Sequence, residues 1–215
     1  MTNTTLVEHE VLPKWCYDFA VDFKEDCPAC GSLAGEPHNE NCDIERCSVC
    51  SKQRVTCECL DHNPMHAVWT GSWPLRTNVE LSTQLGASTR VNVQPGLCYQ
   101  NSYELIFYDE VPEATYIEGL CVQHEGIGIV QHGWLECSDE IVDATQPYDH
   151  AIYFPVLRFK GGIGLSKGLS IPKPAAVTEL PFFQRFGCEE LFGEAWKASV
   201  RYVEAAFGKD RTTAI

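Results

Sequence analysis

Downstream of residue 115 the chain alternates short apolar runs with turn residues. Residues 116–122, 127–136, 141–144 and 151–159 are rich in β-branched and aromatic side chains and are separated by Gly, Asp or Pro. This pattern predicts four consecutive strands in an antiparallel meander, with a hairpin turn at Ser138-Asp139-Glu140. Two other stretches carry a helical period. Tyr103, Leu105, Ile106 and Phe107 place a helix over 98–108, entered through the turn Pro95-Gly96. Phe192, Trp196, Val200, Val203 and Phe207 share one face of a terminal amphipathic helix, after which 209–215 reads as a frayed tail. One domain over 94–208, of α+β class, is expected.

Upstream the pattern weakens. Within 1–26, Trp15, Tyr17, Phe19, Val21 and Phe23 alternate as in a half-buried strand. Residues 27–66 are dominated by Cys, His, Asn, Asp and Gly, and this segment has too few large apolar side chains to form a core unaided. Residues 67–93 read as a bridge in which Trp69, Trp73 and Pro74 clamp the small module to the larger one, with Leu81, Leu85 and Val91 as sparse apolar contacts. No internal repeat is evident.

Seven of the twelve cysteines fall between Cys27 and Cys59, two pairs of them as C-x2-C. Such crowding points to metal ligation in a reducing compartment. One parse is a single zinc ribbon of Cys27, Cys30, Cys47 and Cys50. A second uses more ligands: Cys27, Cys30, His38 and Cys42 for one ion, and Cys47, Cys50, Cys57 and Cys59 for another. Each set supplies four soft ligands in order, as a closed tetrahedral site needs, so two structural zinc ions are expected. His38-Asn39-Glu40 before Cys47-x2-Cys50 superficially matches a zinc-deaminase pattern, but Arg46 stands where that pattern has Pro.

Charge narrows the partners. Sixteen basic against thirty acidic residues give a formal charge of -14, and the Cys-rich segment is itself acidic, so nucleic acid is disfavoured. Residues 1–10 contain no apolar core of a leader and no run reaches the length of a membrane span. A soluble, cytoplasmic protein is the expectation.

Three short words carry candidate chemistry: Gly96-Leu97-Cys98-Tyr99-Gln100-Asn101, then His132-Gly133-Trp134, then Val142-Asp143-Ala144-Thr145. The unpaired N–H groups and dipole at a helix start favour a thiolate, so Cys98 is placed as a nucleophile. His132 on one strand is placed to take its proton, and Asp143 on the returning strand to orient the imidazole. Cys98 or His132 alone is more often a buried structural residue, and it is the combination in this order that points to catalysis. Gln94 is a candidate donor to an oxyanion, beside the Cys98 backbone N–H. The glycine-rich 161–168 lacks the order of a phosphate loop, because Gly168 follows Lys167, and reads as a loop near the site. His124 and His150, flanking strands, read as exposed and non-functional, and Glu136 and Asp139 as solvent-facing carboxylates.

These words, over roughly residues 94–160, resemble the core of the transglutaminase-like superfamily, a branch of the papain-like cysteine enzymes. The resemblance implies a nucleophile helix packed on an antiparallel sheet, with Cys98 as nucleophile, His132 as base, Asp143 as orienter, and Trp134 and Thr145 as supports. Gly133 stands where Ala or Val is expected, and Ala144 where Pro is usual. The activity implied is that of a small hydrolase, deamidase or acyltransferase acting on a peptide, protein or small amide. The competing expectation is a zinc-stabilised interaction protein with a degenerate papain-like domain.

Overall fold

The computed structural model describes residues 23–88, 90–123, 128–148, 151–160 and 189–208. Apart from Phe23, the alternating N-terminal segment lies outside them, as do the 161–168 loop, His124, His150 and the 209–215 tail.

Five strands form one open, mixed sheet: β1 (Arg76–Thr77), β2 (Thr115–Val122), β3 (Ile129–Cys137), β4 (Glu140–Val142) and β5 (Ile152–Lys160), in the order β1-β4-β3-β2-β5. The expected meander is corrected at β5, which pairs with β2 rather than β4. Length explains it: a nine-residue strand satisfies its backbone groups along eight-residue β2, whereas β4 has three residues. The outer edge of β4 is taken instead by β1, in parallel, with Arg76 opposite Glu140. The β3–β4 hairpin closes on Ser138 and Asp139, both at positive φ (51° and 63°), the primed turn that suits the twist of paired strands.

Among the described residues, three α-helices complete the α+β fold: α1 (Val79–Gly86), α2 (Cys98–Phe107) and α3 (Glu189–Phe207). The bridge expected over 67–93 therefore contains β1 and α1. Asn78 caps α1 by accepting from the Leu81 N–H at 2.9 Å, and its own amide reaches Glu140 at 2.7 Å, tying the helix start to β4. One face of the sheet, with Tyr116, Leu120, Leu135, Phe154 and Leu157, packs in the principal core with Tyr103, Leu105 and Ile106 of α2 and Ala195, Ala198 and Tyr202 of α3. Of the apolar residues expected to seat α3, Val203 is buried and Phe192, Trp196 and Val200 pack at the margin of the core; Ala195, Ala198 and Ser199 are also buried and let the helix approach closely. The opposite sheet face holds a smaller cluster of Ile117, Cys121, Trp134, Ile141 and Tyr153. No helix among the described residues is long and apolar enough to cross a membrane.

The Cys-rich segment is tied into this core. Cys27, Ala34, Cys42 and Ile44 share it with Val68 and Trp69, and the Trp69 indole donates to the Lys24 carbonyl at 2.9 Å. Gly35, at φ 91°, lies so close to α3 that a Cβ would clash with the Ala198 carbonyl oxygen. Trp73, expected as a second clamp, is half exposed, with the Arg46 guanidinium 5.3 Å above its ring.

Candidate active site and metal-ligand clusters

β4 leaves β3 after the Leu135–Val142 pair, which frees the β3 edge at His132 and Gly133. Helix α2 docks there. The Ser102 hydroxyl donates to the Gly133 carbonyl at 3.0 Å, satisfying a group that no strand pairs. A Cβ on Gly133 would sit 2.7 Å from a Tyr99 ring carbon and 3.1 Å from Tyr99 Cα. Only glycine permits this approach, which is the physical reason for the departure noted at this position.

Asp143 lies just beyond β4, not on it, and is fully buried. Its Oδ2 accepts from His132 Nε2 at 2.6 Å and from the Tyr153 hydroxyl at 2.9 Å. Oδ1 accepts from the backbone N–H groups of Thr145 at 3.1 Å and Gln146 at 3.0 Å. The Asp143 N–H donates to Ser82 of α1 at 2.9 Å, so the helix in the bridge holds the carboxylate's backbone.

With Nε2 on Asp143, the other imidazole nitrogen of His132 is left free of Asp143, and the neighbouring Cys98 thiol favours the charged ring. Burial disfavours the imidazolium, but the Asp143 charge and hydrogen bond and the Cys98 contact outweigh it and push His132 up to about 10. Trp134 stacks against the ring, centroids 6.4 Å apart and planes 15° apart. Cys98 is the first residue of α2, and Leu97 supplies no side-chain cap, which leaves the first-turn N–H groups available to a negative charge. The preceding Gly96, at φ 79°, makes the entry turn.

Asn101 joins the two loops. Its amide donates to the Gln94 carbonyl at 2.7 Å and to Thr145 Oγ1 at 2.9 Å, and its Oδ1 accepts from the Gln94 N–H at 3.1 Å. Gln94 is thus positioned by its backbone; its side chain is exposed and makes no hydrogen bond among the described residues. Ser82, Asn101, Ser102 and Tyr153 were not singled out from the sequence. Asn101 and Ser102 fall within one helical turn of Cys98, a signal that could have marked them; Ser82 and Tyr153 carry none. Glu136, expected in solvent, is largely buried, meets Arg158 at 2.9 Å, and is pushed up by that burial.

Cys27, Cys30, His38 and Cys42 converge, as do Cys47, Cys50, Cys57 and Cys59, with the ligand atoms of each set within 4.8 Å of one another. Both sets could hold a metal ion. The two C-x2-C turns repeat one geometry: Gly31 N–H donates to the Cys27 carbonyl and Ser51 N–H to the Cys47 carbonyl, and both turning residues have positive φ. The Cys27 and Cys47 N–H groups in turn donate to Ser32 and Lys52. Burial pushes His38 down to about 4, keeping it neutral as a ligand must be. Cys42 is pushed up to about 12, by burial first, and Cys59 to about 12, by the neighbouring Cys50 thiol first. Thiols this crowded resist ionising together unless a cation is present. Beside the second set, Glu45 meets His62 Nε2 at 2.9 Å and the Ser48 N–H donates to His62 Nδ1 at 3.2 Å, so His62 braces the loop.

Comparison with protein-family models, with curated proteins and with solved structures finds no match.

Proposed function

We propose that this chain is a cysteine-dependent enzyme of transglutaminase-like, papain-like architecture, acting on an amide or ester as a hydrolase, deamidase or acyltransferase. One observation carries the reading: a buried His132 bonded to Asp143 at 2.6 Å, with Cys98, at a helix start, among the groups that favour its charged form. In the proposed reaction the Cys98 thiolate attacks the carbonyl carbon and forms the C–S bond. The His132 imidazolium then protonates the departing amine or alcohol, leaving an acyl-enzyme. Water or an amine attacks the thioester, gives its proton to His132, and releases the thiolate. The Cys98 N–H, with Gln94 as a candidate second donor, faces the developing oxyanion.

Zinc is the proposed ion in both clusters, in structural roles. A tetrahedral ion with metal–sulfur bonds of about 2.3 Å puts two sulfurs about 3.8 Å apart and a sulfur and a nitrogen about 3.6 Å apart. The Cys27–Cys42 sulfur separation of 3.7 Å and the Cys30 Sγ–His38 Nδ1 separation of 3.5 Å fit those values, while Cys42 Sγ and His38 Nδ1, at 3.1 Å, lie closer. Four protein ligands at each centre leave no open position, so the ions would stabilise and not react. A thiol-rich chain of this kind suits a reducing compartment such as the cytoplasm. The substrate class is a peptide, protein or small amide.

The low exposure of Cys98, 8%, favours the competing, non-catalytic reading. Alkylation with iodoacetamide, followed by peptide mapping, separates the two. The enzyme reading expects Cys98 to label fastest among the cysteines of the metal-loaded protein, with labelling slowed at least tenfold by His132→Gln. Labelling no faster than that of buried Cys121, and indifferent to His132, would leave the non-catalytic reading.

A further inference from the structure

A second site lies on the other side of the active-site wall. A cleft of about 230 Å³ opens between the Cys47 loop and the outer face of the sheet, lined by residues that include Arg46, Trp73, Arg76, Trp134, Tyr153 and Arg158. Neither Cys98 nor His132 lines it, so it is not the reaction site. Its wall is shared, however: Trp134 stacks on His132, and Tyr153 bonds Asp143.

Two buried polar groups among the residues that line this cleft lack a partner. Trp134 is fully buried, yet its Nε1 meets no acceptor, and the buried Nε of Arg158 is likewise unpaired among the described residues. Trp134 does favour the charged form of the neighbouring Glu136, but its N–H does not reach that carboxylate in hydrogen-bonding geometry. Both orphaned groups are donors only. A buried donor left unmade is costly, so two beside one cleft indicate an acceptor that normally fills it. Two further guanidinium groups stand by. Arg46 lies over Trp73 and Arg76 bonds only the Ser51 hydroxyl at 3.2 Å, and neither has a carboxylate partner among the described residues.

Of the three carboxylates that line the cleft, two are already engaged and the third, Asp139, is exposed. Glu136 meets Arg158 Nη2 at 2.9 Å, and Glu140 accepts from Asn78 at 2.7 Å. Leu75, Ile141 and Pro155 add apolar wall, which suits a carbon-bearing ligand better than a bare inorganic anion.

We propose that this cleft is a binding site for an organic carboxylate, held by Trp134 Nε1 and Arg158 Nε with Arg46 and Arg76 at the rim. Peptides offer that group from two sources, a free C-terminus or an acidic side chain, and both present the same acceptor. The site does not depend on the catalytic reading.

The test uses the full-length, metal-loaded Cys98→Ala chain, so that turnover cannot consume the probe and a failure here leaves the catalytic reading untouched. Indole N–H resonances, assigned by triple-resonance experiments, are followed during titration with acetyl-Ala-Leu carrying a free C-terminus, its C-terminal amide, acetyl-glutamate diamide with a free side-chain acid, and inorganic phosphate. The Trp134 resonance should move downfield and saturate with at least one carboxylate probe, and stay in place with the amide. The tighter acid identifies the source. Arg46→Gln/Arg76→Gln, at positions outside the core, should weaken that binding at least tenfold without changing Tm. An equal shift with the amide, no saturation by either acid up to 10 mM, a response to phosphate alone, or an unchanged affinity in the double variant each overturns the proposal.

Discussion

Tyr153 and His132 share one oxygen of Asp143: the phenol donates to Oδ2 at 2.9 Å and the imidazole nitrogen lies 2.6 Å from the same atom. Burial holds the phenol protonated far above the neutral range, so it acts only as a donor to this carboxylate. The bond fixes Asp143 from the face opposite α2.

Tyr153→Phe removes that donor while keeping the ring. Hydrogen bonds to charged groups contribute about 1.5–3 kcal/mol, and a stability loss in that range is expected by urea denaturation. Cys98 alkylation near neutral pH should slow several-fold, because Asp143 is then held at Oδ2 by His132 alone. Stability and labelling that both match the parent chain would show that Tyr153 does not restrain Asp143.

His132 provides a pH test whose sign follows from its raised pKa of about 10 against an ordinary value of about 6.5. Below about 6.5 the imidazole is charged in both folded and unfolded chains, and its interaction with Asp143 stabilises the fold in full. Between there and about 10 the unfolded state has released its proton while the folded state keeps it, so that contribution declines as pH rises. The parent chain should therefore lose more stability from pH 6 to pH 10 than His132→Gln does, by urea denaturation in the same buffers. A parallel decline in the two proteins would mean that His132 folds as a neutral imidazole.

The two metal clusters should behave differently, because only one is embedded in the principal core. Cys27 and Cys42 are core residues, and the adjacent Gly35 and Ala34 touch α3, where the Arg201 guanidinium donates to the Ala34 carbonyl. Elemental analysis of the purified chain should give close to two zinc ions. Cys42→Ser should lower this to one and also loosen α3, read as faster amide exchange at Ala198 and Tyr202. Cys50→Ser should likewise lose one ion but leave α3 protected, since its loop meets the sheet around the cleft. One ion in the parent chain would revive the single-ribbon parse; equal loosening of α3 by both variants would contradict the embedding.

Much of this was readable from residue order, and the unread part has a common cause. The strands at 116–122 and 151–159 announced themselves because β2 and β5 are buried on both faces and so read as nearly continuous apolar runs. Their partnership did not, because pairing depends on which edge has enough length left to match nine residues, a property of the assembled sheet. The Cys-x2-Cys turns were legible from spacing alone, since a four-residue ligand loop is local. Ser82 and Tyr153 were not: they reach Asp143 from 61 and 10 residues away and have no motif of their own. The inward Glu136 followed the same logic, because its burial depends on Arg158, which only the β2–β5 pairing brings near.

Gly133 is the position at which fold and chemistry are most tightly joined. A methyl group there would meet the Tyr99 ring at 2.7 Å and Tyr99 Cα at 3.1 Å. The ring cannot swing clear, since it is mostly buried, and moving the Cα moves α2 itself. Gly133→Ala should therefore push the helix start away from β3, stretch the Ser102–Gly133 bond, and separate Cys98 from His132, the residue before Gly133. Overpacking of this kind costs about 1–3 kcal/mol, and a matching stability loss is expected. The sharper expectation concerns reactivity: Cys98 alkylation should fall at least tenfold at a temperature where circular dichroism shows the protein folded. Tyr99→Leu combined with Gly133→Ala relieves the ring contact but not the backbone one, so it should recover part of the stability and little of the labelling. Unimpaired labelling in Gly133→Ala would place the geometry around Cys98 beyond the reach of this contact.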